Sequence, residues 1–187
     1  MIEVQEQFGM LRPIKDSELE LMLSWRNAPA VRENMYTTHE ISLAEHVAWW
    51  ERTNSSDHQH YFMYEFEGQA LGIVGFTDLD RGNQNSSWAF YASPNAPKGT
   101  GSRMEILALD YAFNELGLHK LSCEVLAFNT PVIKLHEKFG FKVEGILRDQ
   151  YHREGTFIDI YRLGLLASEW TEVRNVMISK LSRISKG

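Results

Sequence analysis

The chain has one cysteine, Cys123, among 187 residues, which excludes an internal disulfide and any zinc site built from several thiolates. No apolar stretch approaches the ~20 residues that a membrane-spanning helix requires, and neither end carries the short apolar core of a secretory leader, so a cytoplasmic protein is expected. Positive charge is scarce too: 19 lysines and arginines against 25 carboxylates leave a net charge of −6 and a pI near 5.6. A molecule with that balance has no overall field to gather phosphates, so a primary role on DNA or RNA is disfavoured and any anionic ligand has to be held locally. Internal repeats and low-complexity segments are lacking as well. With 43% hydrophobic residues, the length suits one substantial core, read as a single domain over 1–187 with its core at 8–166 and a helical tail at 167–187.

What is present is a clear sequence of switches between period two and period 3.6. Residues 8–14 are expected to form a first strand, and Asp16, Ser17 and Glu18 open an apolar-periodic helix through Leu19, Met22, Leu23 and Trp25. Ser42 with Glu45 three residues later is a capping-box pattern before a second helix carrying His46, Trp49 and Trp50. Three strands follow at 61–66, 70–77 and 87–92, with turn residues between them, and suggest an antiparallel meander. Strands and helices then alternate: a helix over 102–116 stopped by Gly117, a strand over 121–127, a helix opened by Asn129, Thr130 and Pro131 and stopped by Gly140, strands at 141–147 and 157–165, and a last helix from Ser168. Cys123 alternates with Leu121, Val125 and Ala127, which reads as a packed thiol on an inward strand face rather than a nucleophile.

Two motifs carry chemistry. Lys98, Gly99, Thr100, Gly101 and Ser102 form a glycine-rich turn between a strand and a long helix, where free backbone N–H groups and the helix dipole make an anion site. An ordinary surface loop has the same composition. The turn lacks the lysine and hydroxyl pair that ends an NTPase phosphate loop and the third glycine of a dinucleotide fingerprint. The second motif runs from Asn129 to Phe141, with His136 inside it and Val143, Glu144 and Gly145 after it.

Together and in this order the two motifs resemble the GNAT superfamily of acetyl-coenzyme A (acetyl-CoA) dependent N-acetyltransferases over roughly residues 8–166. The resemblance implies an α/β fold of the α+β kind: a mixed central sheet of about seven strands flanked by about four helices, plus a C-terminal helix. It also implies acetyl-CoA as co-substrate and no metal. Leu11-Arg12-Pro13, Trp25-Arg26-Asn27 and the stretch from Glu45 to Trp50 are similar to a branch holding ribosomal-protein and small-molecule acetyltransferases. Trp88-Ala89-Phe90-Tyr91, the His136 helix and Leu147-Arg148-Asp149 resemble the acetyltransferases of pseudaminic acid synthesis, which acetylate the 4-amino group of a UDP-linked 4-amino-4,6-dideoxy sugar on the way to a flagellin glycan.

That resemblance implies roles. Backbone N–H groups of Gly99, Thr100, Gly101 and Ser102 would hold the coenzyme pyrophosphate, with Lys98 adding a point charge; Ala96 stands where the family often has an arginine or glutamine. Asn129 would bind the pantetheine arm or only cap its helix. His136 stands where the family usually has a tyrosine that protonates the departing thiolate, work a histidine can also do. Tyr91 is a second candidate acid or a substrate ligand, and Glu124 a candidate for orienting the water that takes the ammonium proton. A backbone N–H of residues 90–92 would polarise the thioester carbonyl. For a nucleotide-linked amino sugar, Arg26 would pair a phosphate, His46 would hydrogen-bond it, Trp49 or Trp50 would stack the uracil and Thr77 would face the sugar. A polyamine or basic-protein acceptor would also suit the acidic chain, and a coenzyme sensor is the non-enzymatic alternative. His39, His46, His58 and His60 have no clear carboxylate partner for a metal. Val173, Val176, Met177, Leu181 and Ile184 fit either packing on the chain's own body or a homodimer.

Overall fold

The computed structural model describes residues 2–184, with side chains over 4–183. The elements, in order, are α1 (Ile2–Phe8), β1 (Met10–Pro13), a 3-10 turn (Asp16–Glu18), α2 (Leu19–Asn27), α3 (Pro29–Arg32), α4 (Leu43–Asn54), β2 (His60–Phe66), β3 (Gln69–Asp80), β4 (Asn85–Ala92), α5 (Thr100–Asp110), a π turn (Tyr111–Glu115), β5 (Lys120–Leu126), α6 (Thr130–Lys138), β6 (Lys142–Arg153), β7 (Thr156–Leu166) and α7 (Ala167–Ile184). This is the mixed α/β arrangement expected from the alternation of periods. The seven strands form one sheet in the order β1-β2-β3-β4-β5-β7-β6, antiparallel throughout except for β4 with β5.

Local chemistry accounts for most boundaries. At α4, Ser42 Oγ accepts from the Glu45 N–H at 3.2 Å while the Glu45 carboxylate accepts from the Ser42 N–H at 2.9 Å, so the capping box is built as read. Three features were not expected. Residues 2–8 form a helix, and the first strand is confined to Met10–Pro13. Pro29 at the first position of a helix opens the short α3. The turn between β6 and β7 lies at Glu154 and Gly155, so these strands run much longer than the stretches at 141–147 and 157–165.

The sheet separates two cores. One face, with Val74, Phe76, Trp88, Leu121, Cys123, Val125 and Leu163, packs under α5, α6 and α7. The other, with Met63 and Ile73, packs under α2 and α4 through Met22, Trp25 and Trp50. Helix α7 joins the first core through Trp170, Met177 and Leu181, while Val176 is exposed; Ile184 lies outside the residues whose side chains are described. The C-terminal run therefore packs on its own sheet. Cys123 is buried in that core as the alternation implied. Ala127 lies past the end of β5.

Candidate active site

Between β4 and β5 the pairing lasts for only three residues, Asn85 with Lys120, Ser86 with Leu121 and Ser87 with Ser122. Beyond them β5 stays bonded to β7 along its whole length, whereas β4 stays with β3. The two parallel strands thus part, and Trp88–Ala92 presents one backbone edge with no neighbouring strand. An unpaired edge of this kind holds N–H and C=O groups in place for an extended ligand.

Helix α5 opens at the wide end of this wedge. Gly99 sits at φ +90°, a backbone conformation that side chains with a Cβ rarely adopt, and is followed at once by Thr100 at the helix start. Thr100 closes the turn on the Pro97 carbonyl through both its N–H (3.1 Å) and its Oγ1 (2.7 Å). The first-turn N–H groups of Gly101 and Ser102 have no intrahelical acceptor, so they stand with the positive end of the helix dipole as an anion site. Lys98 is exposed beside them, and its carbonyl accepts from Arg103 Nη2 at 3.1 Å. A Cβ added at Gly101 would lie 3.4 Å from Leu135 and 3.6 Å from the Phe90 ring. The anion site, α6 and β4 therefore meet there.

Asn129 precedes α6 without capping it: its side chain makes no cap hydrogen bond, and only its backbone carbonyl accepts, from Val132 and Ile133.

His136 is 3% exposed and Glu105, on α5, is 0% exposed. Their Nδ1 and Oε1 atoms are 2.8 Å apart. Burial lowers the imidazole, but the Glu105 carboxylate, with the Cys123 thiol beside it, outweighs this and pushes it up to about 10. Burial pushes the Glu105 carboxyl up as well, with His136 opposing. We assign the shared proton to the imidazole, because its pairing with the Glu105 carboxylate outweighs the cost of burying its charge. The ring is enclosed by Trp88, Phe90 and Phe141, with centroids at 5.3, 6.0 and 5.2 Å. His136 thus stands in the wall behind Phe90, at the apex where the strands part.

On the opposite sheet face lies a cavity of about 580 Å³, lined by residues that include Arg26, His46, Trp49, Arg52, Tyr61 and Tyr91, with Phe90 at its floor. Helix α2 delivers Arg26 and helix α4 delivers His46 and Trp49 from facing sides. Arg26 Nη1 and His46 Nε2 are buried without a hydrogen-bond partner among the described residues. Burial lowers the pKa of both. Burial also holds the Tyr91 hydroxyl well above the usual tyrosine range despite the nearby Arg26, so it remains a proton donor. Trp49 stacks on His46 at 5.4 Å and meets Tyr61 edge-on at 5.0 Å. Trp50 instead turns inward, its indole N–H donating to Asp16 at 3.2 Å.

Two expected site residues stand apart from the cavity lining. Thr77 lies at the β3 bulge beyond Gly75, its hydroxyl turned to Asp78 at 3.5 Å. Glu124 is taken up by the Tyr36 hydroxyl at 2.8 Å and Arg162 Nε at 3.1 Å. That leaves it a structural tie between β5 and the loop after α3, because its lone pairs are directed at fixed donors. The residues that sequence reasoning missed are Glu105, a carboxylate inside the apolar run from Met104 to Leu109, and Tyr61, whose ring fills the space over Gly75. A charge amid six buried helix positions is the signal that could have found the first. No group of three or more potential metal ligands occurs among the described residues.

The family described as acetyltransferase (GNAT) domain matches residues 10–142. The chain belongs to this GNAT acetyltransferase family. As a GNAT protein it is an acetyl-CoA-dependent N-acetyltransferase. The enzyme is 27% identical over 139 residues to acetyltransferase PseH of Campylobacter jejuni subsp. jejuni, covering 74% of this chain and 86% of that one. It is 24% identical over 161 residues to spermidine N(1)-acetyltransferase of Escherichia coli K12, covering 86% and 87%. Its fold matches the crystal structure of spermidine N-acetyltransferase from Vibrio cholerae in complex with CoA and spermine, with a TM-score of 0.81 at 22% identity over 87% of this chain and 97% of that one. No helix among the described residues is long and apolar enough to cross a membrane.

Proposed function

We propose that this enzyme acetylates the amine of an acceptor that also carries negative charge, with the 4-amino group of a UDP-linked 4-amino-4,6-dideoxy sugar as that amine. The observation that carries the reading is Arg26, a half-buried cation in the lining of the acceptor cavity whose Nη1 is buried without a hydrogen-bond partner among the described residues. Leaving a buried guanidinium unpaired is costly, and an anionic ligand group removes that cost on binding. Arg52 adds a second cation to the lining. Glu45, the lining carboxylate, is already engaged by Ser42 and His39. A polyamine would meet like charge here, although the similarity to spermidine acetyltransferases favours it as the second reading. Similarity to PseH supports the sugar and, with it, a cytoplasmic step of pseudaminic acid and flagellin glycan synthesis.

In this reading the N–H groups of Gly99, Gly101 and Ser102, with Lys98, hold the pyrophosphate, while Thr100, expected to join them, spends its N–H on the Pro97 carbonyl; Asn129 holds the pantetheine arm, and the open β4 edge polarises the acetyl carbonyl. Arg26 and His46 orient the nucleotide, Trp49 stacks its base and Tyr91 donates a hydrogen bond toward the amine. The amine nitrogen attacks the acetyl carbon directly; the N–C bond forms, the C–S bond breaks, and His136 gives its proton to the sulfur while the product nitrogen loses one proton to water. The test is release of free thiol from acetyl-CoA with the UDP-linked 4-amino sugar, spermidine and a basic peptide offered separately. Turnover confined to the sugar is expected; turnover confined to spermidine would overturn the acceptor.

A further inference from the structure

Glu105 has no part in holding either substrate, yet it is the most completely buried carboxylate described, on the helix whose first turn forms the anion site. One oxygen is hydrogen-bonded to His136 Nδ1 at 2.8 Å, and the other, Oε2, has no partner. The indole N–H of Trp88, against the same ring, is also unpartnered. A purely structural helix position would favour an apolar side chain, because a buried ion pair seldom stabilises a fold more than well-packed hydrocarbon does. Charged pairs that persist in such places are candidates for proton chemistry.

We infer that Glu105 is the positioning residue for the proton donor: its carboxylate fixes the His136 ring through Nδ1 and leaves Nε2, with the Cys123 thiol beside the ring, to carry the transferable proton. This rests on the reading of His136 as the acid. Nδ1 held by a carboxylate can only be a donor, so the ring's tautomer and tilt are both set. The charge on Glu105 also keeps the ring protonated. A free imidazole of ordinary pKa would be only about one-tenth protonated at pH 7.5, whereas the paired ring, pushed up to about 10, is still loaded when the thiolate departs. The groups that face the ring are few: Glu105 from α5 and Cys123 from β5, with Lys138 acting on Glu105 from α6, while β4 contributes only Trp88 and Phe90.

The test is kcat as a function of pH for the wild type, Glu105→Gln and His136→Phe, using acetyl-CoA with the UDP-linked sugar or with spermidine, whichever turns over. Melting temperature and the KM for acetyl-CoA are measured alongside. Glu105→Gln is expected to leave that KM within about twofold, to lower kcat about tenfold at pH 7.5, and to move the alkaline limb of the profile from near 10 down toward 6.5. A Glu105→Gln limb unchanged while His136→Phe has lost its own would overturn the role of Glu105. A limb unchanged in His136→Phe would overturn the His136 reading instead. The ring-nitrogen NMR titration of the wild type needs no variant to fold: His136 still protonated at pH 8 supports the inference, and a ring already neutral at pH 7 overturns it.

Discussion

The two sides of β4 are built on opposite terms. Toward α5 and α6 the site consists of backbone N–H groups, a glycine at positive φ and an internally balanced ion pair, with nearly every polar group positioned before a ligand arrives. Toward α2 and α4 it is a cavity whose principal charge, Arg26, has no counter-charge. The first arrangement suits a co-substrate that is the same in every turnover. The second holds an unsatisfied cation in readiness for an acceptor, which ties specificity to a local cost in stability. Phe90 lies between the two, its ring near Gly101 and edge-on to His136 on one side and lining the cavity on the other.

If this division holds, variants on the two sides change different quantities. The largest effect is expected from His136→Phe, with kcat lowered about 100-fold and the KM for acetyl-CoA little changed. Because the protonated ring is the active form, wild-type kcat should persist through neutrality and fall as pH rises through about 10, a limb absent from the variant's pH-rate profile. Next comes Arg26→Met, expected to lower kcat/KM for the anionic acceptor about 30-fold through loss of a charged contact worth roughly 2 kcal/mol. The same change should stabilise the free protein by about 1 kcal/mol, roughly 2–4 °C in calorimetry, since it removes a buried unpartnered donor. Opposite signs in stability and affinity would set the acceptor side apart from the acyl side. Gly99→Val should weaken acetyl-CoA binding about tenfold by straining the φ +90° turn, with acceptor KM unchanged, as initial-rate kinetics would report. The smallest effect is expected for Thr77→Ala, within about twofold in any steady-state constant, because its hydroxyl faces Asp78 and lies outside the cavity lining.

Local features were legible on both sides of β4, for a physical reason. A left-handed φ and a close approach at a helix start demand glycine, and Ser42 with Glu45 can satisfy two helix donors in only one way; such constraints act over a few residues and leave a local trace. The order of elements along the chain follows from the switches between period two and period 3.6. Glu105 and His136, in contrast, are 31 residues apart, and their pairing depends on how α5 and α6 meet over the sheet. Thr77 was expected to face the sugar as part of the meander; the bulge that follows it, with Asp78 at φ +52°, ends the regular strand register. Glu124 read as a free carboxylate because its partners Tyr36 and Arg162 come from a loop and a neighbouring strand. The small helices α1 and α3 are too short for a periodic signal to appear.

The most direct test of the central claim, that the cavity selects an acceptor by a negative charge placed against Arg26, is a comparison of kcat/KM for the UDP-linked 4-amino sugar and for spermidine in the wild type and in Arg26→Met. The account predicts that the wild type prefers the sugar and that the variant loses this preference by a factor of about 30. Equal losses on both acceptors, or faster turnover of spermidine by the wild type, would contradict it.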